Sequence, residues 1–138
     1  MAERRRISSG GPWEAAAGYS RAIVVGDTCW VAGTTDAGPD GRSRHPDDAA
    51  AQARAALAII EAALAEAGFH LDDVVRTRIY LTAVEDAGPV LAVHGEIFAS
   101  VRPAATLVAV AALIEPSLRV EIEADAVRGS RPAPPPGR

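Results

Sequence analysis

The sequence predicts one α+β domain, built as a mixed sheet with two helices packed on one face. Three observations lead to this prediction. The chain has 138 residues, of which 49% are hydrophobic and 23% charged, a size and balance that suit one globular domain. Two segments carry the apolar period of an amphipathic helix, and several others carry strand patterns. Their order is two or three strands, a helix, a strand, a helix and two strands, which a helix layer on one side of a sheet accommodates.

The first predicted element is a β-hairpin. Residues 19–25 and 28–33 are short runs rich in aliphatic side chains, and such runs are typical of strands. Gly26 and Asp27 lie between them, as in a tight hairpin turn. Residues 38–47 follow as a polar loop of Gly, Pro, Asp, Arg and Ser.

A long helix is predicted from residues 46–48 to about Ala67. Its first turn is acidic, as the helix dipole favours, and Gly68 follows as the C-terminal stop. Four apolar residues recur at helical spacing and are expected to face the core: Ala53, Leu57, Ile60 and Leu64. Four polar residues are expected to lie away from that stripe: Gln52, Arg54, Glu61 and Glu66.

The second half of the chain is predicted to form three strands and a helix. Residues 73–82 alternate, with Val75, Thr77, Ile79 and Leu81 on one face and Arg76, Arg78, Tyr80 and Thr82 on the other, which is a strand period. A helix begins near Pro89 and ends near Ser100, with an apolar stripe formed by Val90, Val93, Ile97 and Phe98. Residues 105–111 and 118–127 are the last two predicted strands.

The predicted sheet has one apolar face and one unusually charged face. The charged face carries Arg76, Arg78, Glu121 and Glu123. One interpretation is a solvated surface with cross-strand ion pairs, each worth about 0.2 to 1 kcal/mol. The other is that a second subunit covers part of this face and leaves clefts where a small polar ligand binds.

Composition excludes several kinds of chemistry. All 14 basic residues are arginine, and the chain contains no lysine, so a Schiff-base lysine, a pyridoxal phosphate anchor and a P-loop lysine are excluded. Cys29 is the only cysteine, which excludes an internal disulfide and favours a reducing compartment. The three histidines, His45, His70 and His94, lack metal-ligand spacing. We therefore expect neither a metal nor another cofactor.

Charge and hydropathy also bear on partners and location. The net charge of −4 and the pI near 5.3 argue against nucleic acid as a partner. No apolar run in the sequence is long enough for a membrane span or a signal peptide, so we expect a cytoplasmic protein without a membrane partner. Residues 1–128 are expected to form the domain, and residues 129–138, rich in Pro, Gly and Arg, a flexible tail.

Four segments together resemble one known family. They are Ala32-Gly33-Thr34, the run at 74–80 (VVRTRIY), Arg102-Pro103-Ala104 and the run at 120–124 (VEIEA). They are similar to the reactive intermediate deaminases of the RidA/YjgF family, once labelled endoribonuclease L-PSP, over residues 7–127. The resemblance implies a chorismate-mutase-like fold, a homotrimer, and small-molecule clefts at the subunit interfaces.

The resemblance also implies site residues. In the deaminases, an arginine after a Pro-Ala pair binds the substrate carboxylate, and a C-terminal glutamate orients the attacking water. Here Ala105 takes the arginine's place, as in the branch of the family that lacks it, while the glutamate is kept as Glu121. Ala32 replaces a small hydroxyl residue beside Gly33 and Thr34, and Tyr19 matches an aromatic residue that lines the family's cleft.

Two further residues are candidate site residues because of where they lie in the predicted fold. Arg78 lies on the charged face and is the best available substitute for the carboxylate-binding arginine, although an ion pair with Glu121 or Glu123 is an alternative. His94 is the only histidine in a predicted element near the cleft segments, so it is the candidate acid–base group, with a solvated helix position as the alternative.

These residues support two hypotheses of function. In the first, the trimer hydrolyses or converts an imine, enamine or related carbonyl intermediate, with Glu121 activating water. Because Ala105 lacks a guanidinium, a neutral imine-like compound then suits the cleft better than the family's usual 2-imino acid. In the second hypothesis, the same clefts bind a small metabolite without turning it over.

Overall fold

The computed structural model describes residues 3–132. The strands are β1 (Arg4–Ile7), β2 (Ala22–Val25), β3 (Thr28–Thr34), β4 (Val74–Leu81), β5 (Ala104–Ala109) and β6 (Val120–Val127). The α-helices are α1 (Pro12–Ala17), α2 (Ala49–Ala67) and α3 (Ala87–Phe98). Short 3₁₀ turns at Leu71–Asp73 and Val84–Asp86 precede β4 and α3.

One six-stranded mixed sheet contains every strand, in the order β1-β2-β3-β6-β4-β5. Only β4 and β5 pair in parallel, and α3 makes the crossover that a parallel pair requires. Helix α2 packs on β2, β3 and β6, and α3 packs against α2. The predicted α+β fold, a chorismate-mutase-like mixed sheet with two helices on one face, is confirmed.

The hairpin prediction is confirmed, whereas β1 and α1 are not predicted by the sequence patterns. Strand β1 reads Arg-Arg-Arg-Ile and only Ile7 is buried, so it has no apolar alternation to detect. It is held by antiparallel pairing with β2, from Arg4 opposite Val25 to Ile7 opposite Ala22. Helix α1 spans 6 residues, too few for a helical period to emerge.

Helix α2 begins and ends where the sequence signals lie. The Asp48 side chain accepts a hydrogen bond from the Ala51 N–H at 3.0 Å, which satisfies one of the free donors of the first turn. Gly68 takes a left-handed φ of 88° and ends the helix. The four predicted core residues, Ala53, Leu57, Ile60 and Leu64, are all fully buried.

The position of Gln52 in α2 differs from the prediction, which placed it away from the core-facing stripe. It is completely buried, and its amide binds three backbone groups of neighbouring loops. Its Nε2 donates to the carbonyls of His45 at 3.1 Å and Ser117 at 3.0 Å. Its Oε1 accepts the Arg119 N–H at 2.7 Å. Gln52 can lie inside because these three hydrogen bonds satisfy its buried amide.

We therefore expect Gln52→Ala to lower the free energy of unfolding by about 1–3 kcal/mol, because it removes three hydrogen bonds that join the helix to the backbone of neighbouring loops. Chemical denaturation at one fixed protein concentration measures this change. Glu61→Ala, at an exposed position of the same helix, is the matched control and should stay within about 0.5 kcal/mol of the unmodified chain. Equal effects of the two substitutions would contradict the structural role of Gln52.

The alternation of β4 is interrupted at its start. The register with β6 shifts between Val74 and Arg76, so Val74 is buried and Val75 is exposed. Val75 was expected on the apolar face, and this expectation is wrong because the bulge reverses the two valines. From Thr77 onward the predicted alternation holds.

The remaining elements follow the predicted patterns. Val90, Val93 and Phe98 of α3 are buried, and β6 alternates buried and half-buried residues along its whole length. Arg131 forms an ion pair with the buried Asp73, with Nε 3.6 Å from Oδ1. The rest of the predicted tail, from residue 133, lies outside the described residues. Within residues 3–132, no helix combines the length and hydropathy that a bilayer crossing needs.

Candidate functional site

The face of the sheet opposite α2 and α3, here called the outer face, carries most of the polar side chains of the sheet. Cross-strand partners share a face, and the register places Arg78 opposite Glu123, Tyr80 opposite Glu121 and Trp30 opposite Asp125. The predicted charged face is thus confirmed. Strand β6 runs through its centre and supplies its three carboxylates, Glu121, Glu123 and Asp125.

Arg78 is paired with two of these carboxylates through one of its nitrogens. Its Nη1 lies 3.3 Å from Asp125 Oδ2 and 3.6 Å from Glu123 Oε1. Tyr80 donates its hydroxyl to the same Glu123 oxygen at 2.8 Å. The alternative interpretation of Arg78, an ion pair across strands, is therefore the one that the structure supports, although with Asp125 and Glu123 rather than Glu121. This pairing leaves Arg78 a poor candidate for a substrate clamp.

Glu121 lies directly over the backbone of Gly33. A Cβ placed on Gly33 would come 2.1 Å from Glu121 Oε2 and 3.0 Å from its Cδ. Real atoms do not approach so closely, so only glycine leaves room for the carboxylate in this position. The register shift of β3 against β6 between Val31 and Thr34 brings the two residues together. The structure thus unites two of the predicted site residues, Glu121 and Gly33.

Burial raises the pKa of the Glu121 carboxyl above its ordinary value. The positive charge of Arg21 opposes this shift, and the negative charge of Glu123 adds to it. A carboxylate that is partly desolvated is a stronger proton acceptor than one in water. Glu121 therefore has the electrostatic setting of a general base.

Arg21 is a site residue that the sequence analysis missed. Its Nη2 donates to the Gly33 carbonyl at 2.6 Å, so it borders the glycine on which Glu121 rests. Its Nε is buried and has no hydrogen-bond partner among the described residues. Burial lowers the pKa of the guanidinium, while the charges of Tyr19, Glu14 and Glu121 oppose the shift. The predicted hairpin contained a signal for it, since pairing about the 26–27 turn sets residue 21 opposite residue 32, next to Gly33.

Three other predicted site residues, Tyr19, Ala32 and Thr34, differ in their exposure to solvent. Tyr19 follows the end of α1 and is 43% exposed, and its hydroxyl is close enough for its charge to act on Arg21. Ala32 is half-buried and its carbonyl accepts the Thr34 hydroxyl at 2.7 Å. Thr34 is buried opposite Ile122, so its side chain lies on the helix side of the sheet. Within the chain, the Thr34 hydroxyl is therefore already hydrogen-bonded and lies on the face of the sheet opposite Glu121.

His94 also lies on the helix side, away from Glu121. Its Nε2 is 2.8 Å from the Thr77 hydroxyl, and its ring packs on Phe98 with centroids 4.7 Å apart. Burial lowers its pKa. His94 as the acid–base group stays a prediction for the assembled protein. Within one chain, His94 and Glu121 lie on opposite faces of the sheet. Helical spacing explains this, because residue 94 is four positions from both Val90 and Phe98 and shares their core face.

Ala105 likewise does not meet Glu121 within the chain. It is exposed on the edge strand β5 and pairs in parallel with Thr77. Because Thr77 faces the helices, residue 105 lies on that side, whereas Glu121 is on the outer face. An arginine at this position would extend from the sheet edge, and in one chain it would not reach across to Glu121.

Other groups with possible chemistry lie elsewhere. Cys29 is fully buried, and burial raises the pKa of its thiol to about 11, so it stays protonated at neutral pH. A surface cavity of about 700 Å³ lies between residues 42–47 and 115–119, and no predicted site residue lines it. In the part of the chain that the structure describes, no cluster of three or more His, Cys, Asp or Glu residues could hold a metal ion.

Comparison with known proteins agrees with this architecture. The family described as Endoribonuclease L-PSP matches residues 11–128. A rat 2-iminobutanoate/2-iminopropanoate deaminase is 34% identical over 126 residues, which is 91% of each chain. An uncharacterised Streptomyces coelicolor protein is 38% identical over 126 residues, covering 91% of this chain and 93% of the other.

A solved structure shows the same fold. The crystal structure of Rv2704 from Mycobacterium tuberculosis, a member of the highly conserved YjgF/YER057c/UK114 family, has a TM-score of 0.82 and 50% identity, with 91% of this chain and 99% of that chain covered. The sequence motifs, the sheet order and these similarities agree. The chain belongs to the Endoribonuclease L-PSP family, which is the RidA/YjgF family.

Proposed function

We propose that this chain hydrolyses an imine, enamine or related carbonyl intermediate, other than the usual short 2-imino acids, in clefts between the subunits of a homotrimer. The observation that carries the proposal is the Glu121 carboxylate, which lies over Gly33 with a pKa raised by burial. Membership in a family with 2-iminobutanoate/2-iminopropanoate deaminases among its relatives supports the same chemistry.

Glu121 suits the proton transfers that imine hydrolysis needs. Water adds to the carbon of the protonated imine, and Glu121 accepts the proton that the water loses. The protonated carboxyl then donates this proton to the amino nitrogen, and the C–N bond breaks as ammonia leaves. Glu121 accepts the remaining hydroxyl proton as the C=O bond forms. A positioned carboxylate whose pKa is above its ordinary value serves these transfers.

The exposed surface of the sheet supports assembly into a trimer. Trp30 on the outer face is 46% exposed and Val108 on β5 is 42% exposed. Strand β5 reads Ala-Ala-Thr-Leu-Val-Ala and lies at the sheet edge, paired on one side only. Apolar edge strands and apolar sheet surface are normally covered by a partner. A second subunit on this surface would enclose the half-buried groups around Glu121.

A second function, binding of a small metabolite without turnover, is favoured by two observations. Ala105 supplies no guanidinium where the deaminases have one, and Arg78 is already paired with Asp125 and Glu123. A site without a carboxylate clamp can hold a ligand yet fail to orient it for attack by water.

The test is a panel of imines incubated with the purified protein, with release of the carbonyl product followed over time. The panel contains 2-iminobutanoate, an imino acid whose carboxylate is remote from the imine carbon, and a neutral imine. We expect at least one of the other two compounds to be hydrolysed faster than 2-iminobutanoate. If 2-iminobutanoate is the best substrate, the altered specificity is wrong. If the protein is folded and assembled but hydrolyses none of them above the buffer rate, the enzymatic proposal is wrong, and binding without turnover is the remaining function to test.

A further inference from the structure

Arg21 combines a buried guanidinium nitrogen with the lack of an anionic partner. Arg78 on the same face is paired with Asp125, but Arg21 forms no ion pair with any carboxylate of residues 3–132. Its guanidinium is nevertheless partly buried, and its Nε lacks an acceptor. A desolvated charge without a partner is costly, and proteins usually offset that cost with an anion.

The acidic groups near Arg21 do not neutralise it directly. The Glu14 carboxylate is occupied by Ser9, whose N–H it accepts at 2.9 Å and whose hydroxyl it also accepts. Glu121 lies over Gly33, the residue whose carbonyl Arg21 binds, but the two side chains form no ion pair. The guanidinium is therefore held in place by the Gly33 carbonyl while most of its N–H donors remain available.

We infer that Arg21 binds the carboxylate of the substrate in this site. The inference rests on the proposed function, because it takes Glu121 as the group that activates water. Arg21 and Glu121 border Gly33 from two sides, so a ligand between them would meet a cation and a general base at once. The planar guanidinium matches a carboxylate, and a second N–H can bind while Nη2 stays on Gly33.

The charge around the site favours a carboxylate over a phosphate. Glu14 and Glu121 are both close enough to act on the charge of Arg21. A doubly charged phosphate would be repelled by these carboxylates, whereas a monoanion places one charge against the one guanidinium. The substrate class is thus an imine or enamine that carries a carboxylate, which revises the neutral compound expected from Ala105 alone.

Arg21 and position 105 relate differently to Glu121 within one chain. Arg21 binds the carbonyl of Gly33, over which Glu121 lies, whereas Ala105 lies in β5, on the other side of β6 in the sheet order. Arg21 can therefore supply a cation beside Glu121 from the same chain, which position 105 does not do.

Ligand titration followed by NMR tests the inference without requiring turnover. The probes are 2-oxobutanoate, its neutral amide 2-oxobutanamide, and inorganic phosphate, each added to the unmodified protein and to the Arg21→Gln and Arg54→Gln variants. Arg54 pairs with Glu96 on the helix side, so its variant is the control for the loss of one positive charge. We expect 2-oxobutanoate to bind at least ten-fold more tightly than the amide or phosphate, and Arg21→Gln to weaken it about ten- to a hundred-fold.

The outcomes separate this inference from the proposed function. If Arg21→Gln and Arg54→Gln bind 2-oxobutanoate equally, or if the amide binds as well as the acid, the role of Arg21 is wrong. Tighter phosphate binding would make the site a phosphate site instead. If Arg21→Gln does not fold, two other measurements test the role of Arg21: the affinity of Arg21→Lys for 2-oxobutanoate, and the affinities of the unmodified chain for 2-oxobutanoate and 2-oxobutanamide. Arg21-dependent binding without hydrolysis of any imine would overturn only the enzymatic proposal.

Discussion

Replacing Glu121 by glutamine is expected to lower the rate of imine hydrolysis about 10²- to 10⁴-fold, which is the usual contribution of a positioned general base. Glutamine has nearly the same shape as glutamate but cannot accept the proton from water. The fold should be unchanged, because Glu121 is only partly buried and its carboxylate makes no hydrogen bond to another group of residues 3–132. The measurement is the steady-state rate on the best imine of the panel, together with the oligomeric state.

The pH dependence gives an independent readout of Glu121. The base acts only when ionised, so the rate should fall as the pH is lowered through its pKa. Because burial raises that pKa, the acid limb should have its midpoint above the ordinary value of about 4.3 for glutamate. Glu121→Gln should remove this limb from the residual activity.

Glu121→Gln should raise the free energy of unfolding at neutral pH, although it lowers activity. A carboxyl whose folded-state pKa is raised binds its proton more tightly in the folded chain than in the unfolded one. The folded state is therefore favoured below the unfolded pKa and loses that advantage as the pH rises through the folded pKa. The stability of Glu121→Gln relative to the unmodified protein should therefore be greater at neutral pH than at mildly acidic pH. Chemical denaturation of both proteins, once at mildly acidic and once at neutral pH, measures this difference.

Glu123→Gln is the matched control on the same strand. The negative charge of Glu123 contributes to the raised pKa of Glu121, so its removal should move the acid limb to lower pH while hydrolysis continues. An equal loss of rate in the two variants would show that the outer face needs its overall charge rather than Glu121 as the base. Undiminished hydrolysis by Glu121→Gln would remove Glu121 from the mechanism.

Local patterns in the sequence predict most of the fold but only part of the site. The long helix, the hairpin and the alternation of β6 follow from periodicity and turn residues, which act over a few positions. The bulge at Val74 and Val75 does not, since both residues are valine and only pairing with β6 decides which one is buried. Gln52 is similar, because its partners are contributed by loops up to 67 positions away along the chain.

The site residues also divide into features that local patterns predict and features that depend on strand pairing. The sequence identifies Glu121 and Gly33 as site residues, but their contact depends on the β3–β6 register and cannot be deduced from either segment alone. It also places Arg78 on the charged face, but only the strand pairing identifies its partner Asp125. Arg21 is not predicted, because its role depends on a hydrogen bond to one carbonyl 12 residues away. Sequence patterns thus identify the faces, and the register decides which groups meet.

Gly33→Ala is expected to lower the rate of imine hydrolysis by about two orders of magnitude, because displacing a catalytic group by about 1 Å can cost that much. The added Cβ would lie 2.1 Å from Glu121 Oε2, so the carboxylate must move. The fold should survive, since Gly33 has no left-handed φ and the atom in its way is the end of a flexible side chain. Loss of activity would therefore reflect the position of Glu121 and not unfolding.

Two comparisons isolate this positional effect. Gly95→Ala in α3, where the added Cβ meets nothing within 4 Å, should keep full activity and stabilise the helix by about 0.5–1 kcal/mol. In the Glu121→Gln background, Gly33→Ala should cost little further activity, because the group that it displaces has already been disabled. Additive losses in the double variant would mean that Gly33 acts on its own, for example through the carbonyl that binds Arg21. That outcome would mean that Gly33 acts by binding Arg21 through its carbonyl rather than by leaving room for Glu121.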